Sequence, residues 1–392
     1  VTGLIVQDTA TYFTPFGQAV ILVLFQLGGL GIMTFSTLIL LVAGKRISIK
    51  DRIIIQQGFH HGAPKDFKSL IKNIFLYTLI LEAAGTLSLF LRWQKDFPWQ
   101  KALSHSVFHS ISALCNAGFS LFSRSFISYR SDTWINITLF LLIILGGVGF
   151  FALQEMKEVF SDVLRRRKIK ISLHTKLVLT LTSFLVVFSS VLFLAIEWNH
   201  SLKMFTLKEK IFSSIFQVVT PRTAGFNTMD LNSLSFSAVL LLMMLMFIGA
   251  SSGSTGGGIK TSTIGVILGF LKSKITARDS VNLFRRTLTM ESVMKAFTVI
   301  TLAMCVIFFS SFILLLTQPV ASMKEAIFEV FSAFSTVGLS LGITPKLSSL
   351  GKIVIILTMY IGRIGPLTLL YAFSRQKAYG RFEYVEETVM IG

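Results

Sequence analysis

Three stretches decide how this chain is read: His105-Ser106-Val107-Phe108-His109-Ser110-Ile111-Ser112-Ala113-Leu114-Cys115-Asn116-Ala117-Gly118-Phe119, Phe212-Ser213-Ser214-Ile215-Phe216-Gln217-Val218-Val219-Thr220-Pro221-Arg222-Thr223-Ala224-Gly225-Phe226, and Glu325-Ala326-Ile327-Phe328-Glu329-Val330-Phe331-Ser332-Ala333-Phe334-Ser335-Thr336-Val337-Gly338-Leu339. Each is a short amphipathic run closing on a polar residue, a small or β-branched residue, Gly, then Phe or Leu. The chain opens on the same ending, Val1-Thr2-Gly3-Leu4. Successive glycines at 3, 118, 225 and 338 lie 115, 107 and 113 residues apart, which sets an internal repeat.

The sequence around these stretches is that of a membrane protein. Of 392 residues, 53% are hydrophobic and 14% charged, against about 25% charged in soluble domains. With 37 Phe and a mean hydropathy of +0.71, disorder is excluded. The only cysteines, Cys115 and Cys305, sit in unlike apolar surroundings and make no disulfide framework.

A span needs about 20 apolar residues. The windows Pro15–Ala43, Thr133–Gln154, Leu177–Ile196 and Ala296–Met323 carry no charge. Asn73–Leu91 carries only Glu82, Leu231–Leu271 only Lys260, and Ile353–Ser374 only Arg363, which makes seven candidate spans. Strand alternation is absent, and Leu240–Phe247 is apolar on every side, so helices are expected rather than a barrel. The expected fold is an all-α polytopic membrane protein.

The net charge of +18 would suggest nucleic acid in a soluble protein. Here 23 of the 37 Lys and Arg fall in the alternate connections 44–72, 155–176, 272–295 and 375–392, against 12 in the other connections. Basic loops mark the cytoplasmic side, which places the amino end outside and the carboxyl end inside. Spread over short loops, these charges offer no surface for nucleic acid. The run Arg165-Arg166-Arg167-Lys168 marks the cytoplasmic face, with contact to anionic lipid.

Combined, spans and glycines define a unit of span, re-entrant pore helix, Gly turn and span. The expected boundaries are 1–66 for the first unit, 67–172, 173–290 with an intramembrane gating loop, 291–374, and a cytoplasmic tail at 375–392. Four units need eight spans. The expectation is that the first span and first re-entrant helix would precede Val1, leaving only the filter end and second span of the first unit. Non-helical backbone at membrane depth is tolerated where it is buried or lines a water-filled path. A half-helix ending at a Gly turn aims its negative dipole end and its carbonyls at the centre, which favours a cation. Gly28-Gly29-x-Gly31 and Gly146-Gly147-x-Gly149 read instead as close helix packing.

Inside the span region, Gly249-Ala250-Ser251-Ser252-Gly253-Ser254-Thr255-Gly256-Gly257-Gly258 cannot hold a regular helix, since each Gly costs about 1 kcal/mol relative to Ala. A phosphate-binding P-loop is excluded, because Ile259 separates Gly258 from Lys260 and no strand precedes the loop. An unwound segment lining a cavity fits better, with Lys260 at its cytoplasmic end. Arg363 has uncharged residues on both sides and must find carbonyls or an acid. Glu82 reads as a buried structural hydrogen-bonding group. His105 and His109 have metal-ligand spacing but no third ligand, and read as faces of the re-entrant helix.

These motifs resemble the Trk/Ktr/HKT superfamily of potassium transporters over essentially the whole chain. Asn116-Ala117-Gly118-Phe119, Thr223-Ala224-Gly225-Phe226 and Thr336-Val337-Gly338-Leu339 look like its second, third and fourth filters, and Val1-Thr2-Gly3-Leu4 like the first. The tail Tyr384–Gly392 is similar to the end of the bacterial KtrB-type (TrkH-like) membrane subunit. The resemblance implies a K+ filter built from Val1, Thr2, Gly3, Cys115, Asn116, Ala117, Gly118, Arg222, Thr223, Ala224, Gly225, Ser335, Thr336, Val337 and Gly338. It implies a gate made of the loop 249–258 with Lys260 and Arg363. It further implies a transporter rather than an enzyme, in the lipid bilayer of a bacterial plasma membrane. The expected partners are a second copy of the chain and a cytosolic nucleotide-binding ring of the KtrA or TrkA kind. One glycine per repeat with irregular flanks is expected to select loosely, with Na+ admitted or coupled. Two other classes fit worse. A membrane ATPase would need a nucleotide domain, and a secondary carrier for another small solute would be expected to show inverted repeats.

Overall fold

The computed structural model describes residues 1–31, 67–167, 169, 171–318 and 322–366. The expected first cytoplasmic loop, the end of the first span and the tail lie outside these residues. Among the described residues, twelve α-helices run in chain order: α1 (Pro15–Leu30), α2 (Phe67–Trp93), α3 (Trp99–Leu114), α4 (Thr133–Val148), α5 (Phe150–Leu164), α6 (Leu173–Glu197), α7 (Leu207–Val219), α8 (Phe236–Phe247), α9 (Thr261–Ile275), α10 (Met290–Thr317), α11 (Met323–Phe334) and α12 (Ser349–Ile364). A two-residue hairpin, Asn282–Leu283 with Arg286–Thr287, joins α9 to α10.

The sequence writes most of the helix starts. Thr14, Asp132, Ser172, Ser235, Thr289 and Ser348 each accept an N-terminal backbone N–H with the side chain. Thr206 with Glu209, and Ser322 with Glu325, form full capping boxes at the starts of α7 and α11.

α2, α6 and α10 are the straight spans, the three described helices long and apolar enough to cross a membrane unaided. The pore helices α3, α7 and α11 have 16, 13 and 12 residues. At 1.5 Å per residue they reach about 18–24 Å, short of a hydrocarbon core of about 30 Å. Each pore helix packs against the two spans of its own unit and against the inner span of the preceding one: α3 on α1, α7 on α4, α11 on α8. The span ends that meet in the second and third units are clasped by polar pairs. Arg92 at the end of α2 meets the α4 cap Asp132 at 2.6 Å, and the buried Glu197 at the end of α6 accepts the Ser235 N–H of the α8 cap at 3.0 Å.

The inner spans differ from the sequence expectation. Thr133–Gln154 is not one span: it breaks at Gly149 (φ +97°), and α5 leaves α4 at 102°. α1 and α12 end in the same way, at Gly31 (φ +84°) and Gly365 (φ +92°). The Gly-Gly-x-Gly motifs are therefore not packing motifs alone. The first glycine does pack: a β-carbon on Gly146 or Gly362 would strike the carbonyl of Leu114 or Phe334 at the end of the neighbouring pore helix. The last glycine turns the chain. Leu231–Leu271 breaks where its composition requires, between Phe247 and Thr261.

Candidate ion pathway

Each pore helix runs directly into its glycine turn. Ala117 and Val337 N–H donate back five residues to Ser112 and Ser332 carbonyls, both at 2.8 Å, and Ala224 N–H to Thr220 O at 2.9 Å. Gly3, Gly118, Gly225 and Gly338 hold φ of +80°, +75°, +76° and +95°. Two residues earlier, Asn116 (φ +50°), Thr223 (φ +76°) and Thr336 (φ +52°) are left-handed without the licence of glycine, at about 1–2 kcal/mol each. Ala117, Ala224 and Val337 between them do not take a positive φ. Their carbonyl oxygens stand against the glycine of the preceding turn, 2.7 Å from a β-carbon placed on Gly3, 2.9 Å from one on Gly118, and closest of all at Gly225.

The four turns meet. A β-carbon placed on Gly3 would lie 3.1 Å from the α-carbon of Gly118, one on Gly118 3.2 Å from Gly225, one on Gly225 3.3 Å from Gly338, and one on Gly338 3.1 Å from Gly3. The contacts close a ring in chain order around one axis. Glycines more than a hundred residues apart become neighbours there.

The loop 249–258 lies directly beneath the ring. Gly256 sits against Thr223, and a β-carbon on Gly258 would lie 3.2 Å from the α-carbon of Ser335. Gly257 N–H donates to Thr336 Oγ1 at 3.1 Å. Gly249 folds onto the Gly257–Gly258 side of the same loop, and Ala250 meets Gly256. The other end of the loop is fastened to the broken helix α4. Ser251 N–H donates to Gly147 O at 2.9 Å, Thr255 N–H to Gly146 O at 3.2 Å, and Phe150 N–H to Gly253 O at 2.9 Å. Thr255 Oγ1 also reaches Leu114 O at 3.1 Å. Carbonyls orphaned by the end of α4 are thereby satisfied by the loop, as buried backbone requires. Ser251 and Ser252 pair with Thr261 and Ser262 at 2.9 Å each, and Ser254 Oγ donates to Ser251 O at 2.6 Å. Lys260 caps the start of α9 and turns its Nζ back to Gly256 O at 2.7 Å.

Arg363, on α12, inserts between these parts. Its Nη1 donates to Thr255 O in the loop, and its Nη2 to Gly28 O at the end of α1, with Gly29 O 3.5 Å away. No carboxylate pairs with it among the described residues. One cation thus joins the last turns of two inner spans and the loop of a third.

Not every sequence candidate points at the axis. Val1 packs on Gly28, and Cys115 turns its thiol to Gln26 Oε1 at 3.2 Å, against Gly29. Arg222 runs outward to Thr182 Oγ1 of α6 at 3.1 Å, buried, with its Nε unpartnered. Thr2 faces the ring through its carbonyl, which stands against Gly338. Glu82 packs in the wall, its carbonyl accepting from Ser110 Oγ at 2.8 Å. His109 is buried in the pore helix. Asp8 ties the loop after Gly3 to the loop after Gly118 by accepting from Ser123 Oγ at 2.6 Å. Burial pushes its carboxyl up, but the Ser123 and Thr11 hydroxyls and the Ala10 amide outweigh this and hold it below its ordinary range.

The turn glycines Gly31, Gly149 and Gly365 were missed as pathway elements by sequence reasoning. Their signal is the shared spacing in Gly28–Gly31, Gly146–Gly149 and Gly362–Gly365, with Arg363 where the other two copies have a second Gly.

The family model described as TrkH: Cation transport protein matches residues 1–382. The chain is 40% identical over 378 residues to the Ktr system potassium uptake protein B of Bacillus subtilis, covering 96% of this chain and 83% of the relative. It is 35% identical to the potassium/sodium uptake protein NtpJ of Enterococcus hirae, covering 100% of this chain and 87% of the relative. The crystal structure of the potassium transporter TrkH from Vibrio parahaemolyticus superposes with a TM-score of 0.73 at 20% identity, over 95% of this chain and 75% of that one.

Proposed function

The chain belongs to the TrkH family of cation transport proteins, and from that premise we propose that it takes up potassium across the membrane through the ring of Gly3, Gly118, Gly225 and Gly338. The observation that carries the reading is the closure of four left-handed glycine turns on one axis. At each, a side chain would collide with the backbone of the next. The transported ion sheds its water against a shell of carbonyls, supplied by Val1, Thr2 and Gly3, by Cys115 to Gly118, by Arg222 to Gly225 and by Ser335 to Gly338. The units that bring them together are 1–66, 67–172, 173–290 and 291–374, followed by a tail at 375–392.

The loop 249–258 with Lys260 and Arg363 is the gate. Its position under the ring supports this role, as does its fastening by exchangeable hydrogen bonds rather than apolar packing. A guanidinium below the ring repels a second cation, so the route is closed while Arg363 holds both Thr255 and Gly28.

Potassium is the assigned cargo because relatives of this chain are named for potassium uptake, and one for potassium and sodium. Na+ is accordingly proposed as an admitted or coupled ion. The protein works in the bacterial plasma membrane with its carboxyl end in the cytoplasm, as a homodimer on a cytosolic nucleotide-binding ring of the KtrA or TrkA kind. The word "system" in the name of the Bacillus relative supports a multi-component assembly.

The test is 86Rb+ uptake into vesicles. The intact protein is expected to take up Rb+, and Gly225→Ser to lose uptake or its preference for Rb+ over Na+. No uptake by the intact protein, or equal selectivity in both, would contradict the reading.

A further inference from the structure

The pore helices carry a polar pair that ion transport through the ring does not itself require. Nine residues before the glycines of the second, third and fourth turns stand His109, Phe216 and Glu329, and two residues after them stand Ser120, Asn227 and Ser340. All three pore-helix side chains are buried, at 0%, 1% and 0% exposure. In the second unit, His109 Nε2 accepts the Leu121 N–H at 3.1 Å and stands 3.1 Å from Ser120 Oγ. Because Nε2 accepts, the ring proton sits on Nδ1, which donates to His105 O at 2.7 Å. In the fourth unit, Glu329 Oε1 accepts from Thr344 Oγ1, which stands 3.1 Å from Ser340 Oγ.

The two serines are held alike on their other side. Phe122 N–H donates to Ser120 Oγ and Gly342 N–H to Ser340 Oγ, both at 3.0 Å and both from two residues on. Phe216 fills the same helix position in the third unit, so packing alone does not demand a polar group there. Burying an imidazole or a carboxyl at membrane depth is costly. The two polar copies fall in the second and fourth units, which are diagonal in the ring, since Gly118 and Gly338 both neighbour Gly3 and Gly225.

We propose that His109 and Glu329 are positioning residues. Each fixes the segment leaving its filter glycine through a hydrogen bond, and together they hold two opposite sides of the ring at the spacing that discriminates K+ from Na+. The inference rests on the ring being the filter.

The test is the ratio of 86Rb+ to 22Na+ uptake into proteoliposomes holding the full-length protein, beside its thermal midpoint. Glu329→Gln keeps an acceptor for Thr344 and is expected to keep the ratio within twofold. Glu329→Ala and Thr344→Val break the bond from either side and are expected to lower the ratio at least threefold. His109→Phe, which copies Phe216, is expected to act in the same direction. If Glu329→Ala does not fold, Thr344→Val carries the comparison, because it leaves the carboxyl in place. A lowered midpoint with an unchanged ratio in these variants would overturn the inference by assigning the pair a purely structural role. Glu329→Gln falling with Glu329→Ala would overturn it by assigning the effect to charge. Wild-type protein taking up no Rb+ would overturn the transport reading itself, whereas a selective wild type with unmoved variants overturns only this inference.

Discussion

Arg363 is the side chain on which the proposed gate turns. Its fork geometry lets Nη1 and Nη2 address two separate carbonyl groups, on the loop and on α1. A lysine offers a single ammonium point and cannot span both. Arg363→Ala is therefore expected to raise 86Rb+ uptake severalfold at equal expression, and Arg363→Lys to lie between it and wild type. Unchanged or lower uptake by the alanine variant in a potassium-uptake-deficient strain would remove Arg363 from the gate. At this scale the sequence was legible where charge is rare: an arginine in an uncharged window has to find carbonyls or an acid, and it finds the carbonyls of Thr255 and Gly28. Cys115 and Arg222 show the limit. The repeat places their backbones beside the ring, but side-chain direction depends on gaps left by α1 and α6, to which no local pattern points.

The inner spans were the hardest elements to read. Hydropathy sees Thr133–Gln154 as continuous because the break removes no apolar residue. It needs only one glycine in a conformation other residues avoid, and partners for the carbonyls it frees. Those partners come from the loop 249–258, about a hundred residues away, so the bend is a tertiary property. Two adjacent glycine substitutions separate turn from helix. At Gly149 the backbone is left-handed and a β-carbon would lie 2.6 Å from Ser252 O. Gly149→Ala is expected to cost about 1–2 kcal/mol in strain alone and to dislodge the loop, lowering the thermal midpoint of the purified protein. At Gly147 the nearest atom would be 3.6 Å away, ordinary contact, and within α4 alanine favours the helix by about 1 kcal/mol. Gly147→Ala is expected to match or exceed the wild-type midpoint. The reverse order would contradict the assignment of Gly149 as the hinge. By contrast α7 and α11 were legible as elements from their amphipathic runs, each of which sits within a dozen residues of sequence.

Across the whole molecule, a repeat of four-residue endings becomes a ring because each pore helix leans on the inner span of the unit before it. The order of the chain is thereby also the order around the axis. The excess of positive charge, which composition alone could have assigned to a polyanion, resolves into basic loops alternating with spans and two cations, Lys260 and Arg363, held within the span region. Period and hydropathy carried the architecture. They did not carry the contact between loop and ring, where Gly256, Gly257 and Gly258 meet Thr223, Thr336 and Ser335 from two other segments of the chain.

The most direct measurement of the central claim is anomalous scattering from crystals of the full-length protein grown in Rb+. The account predicts a Rb+ peak on the axis within the ring of Gly3, Gly118, Gly225 and Gly338, lost when Gly225 is replaced by Ser. A peak elsewhere with none in the ring, in protein that still takes up Rb+, would contradict it.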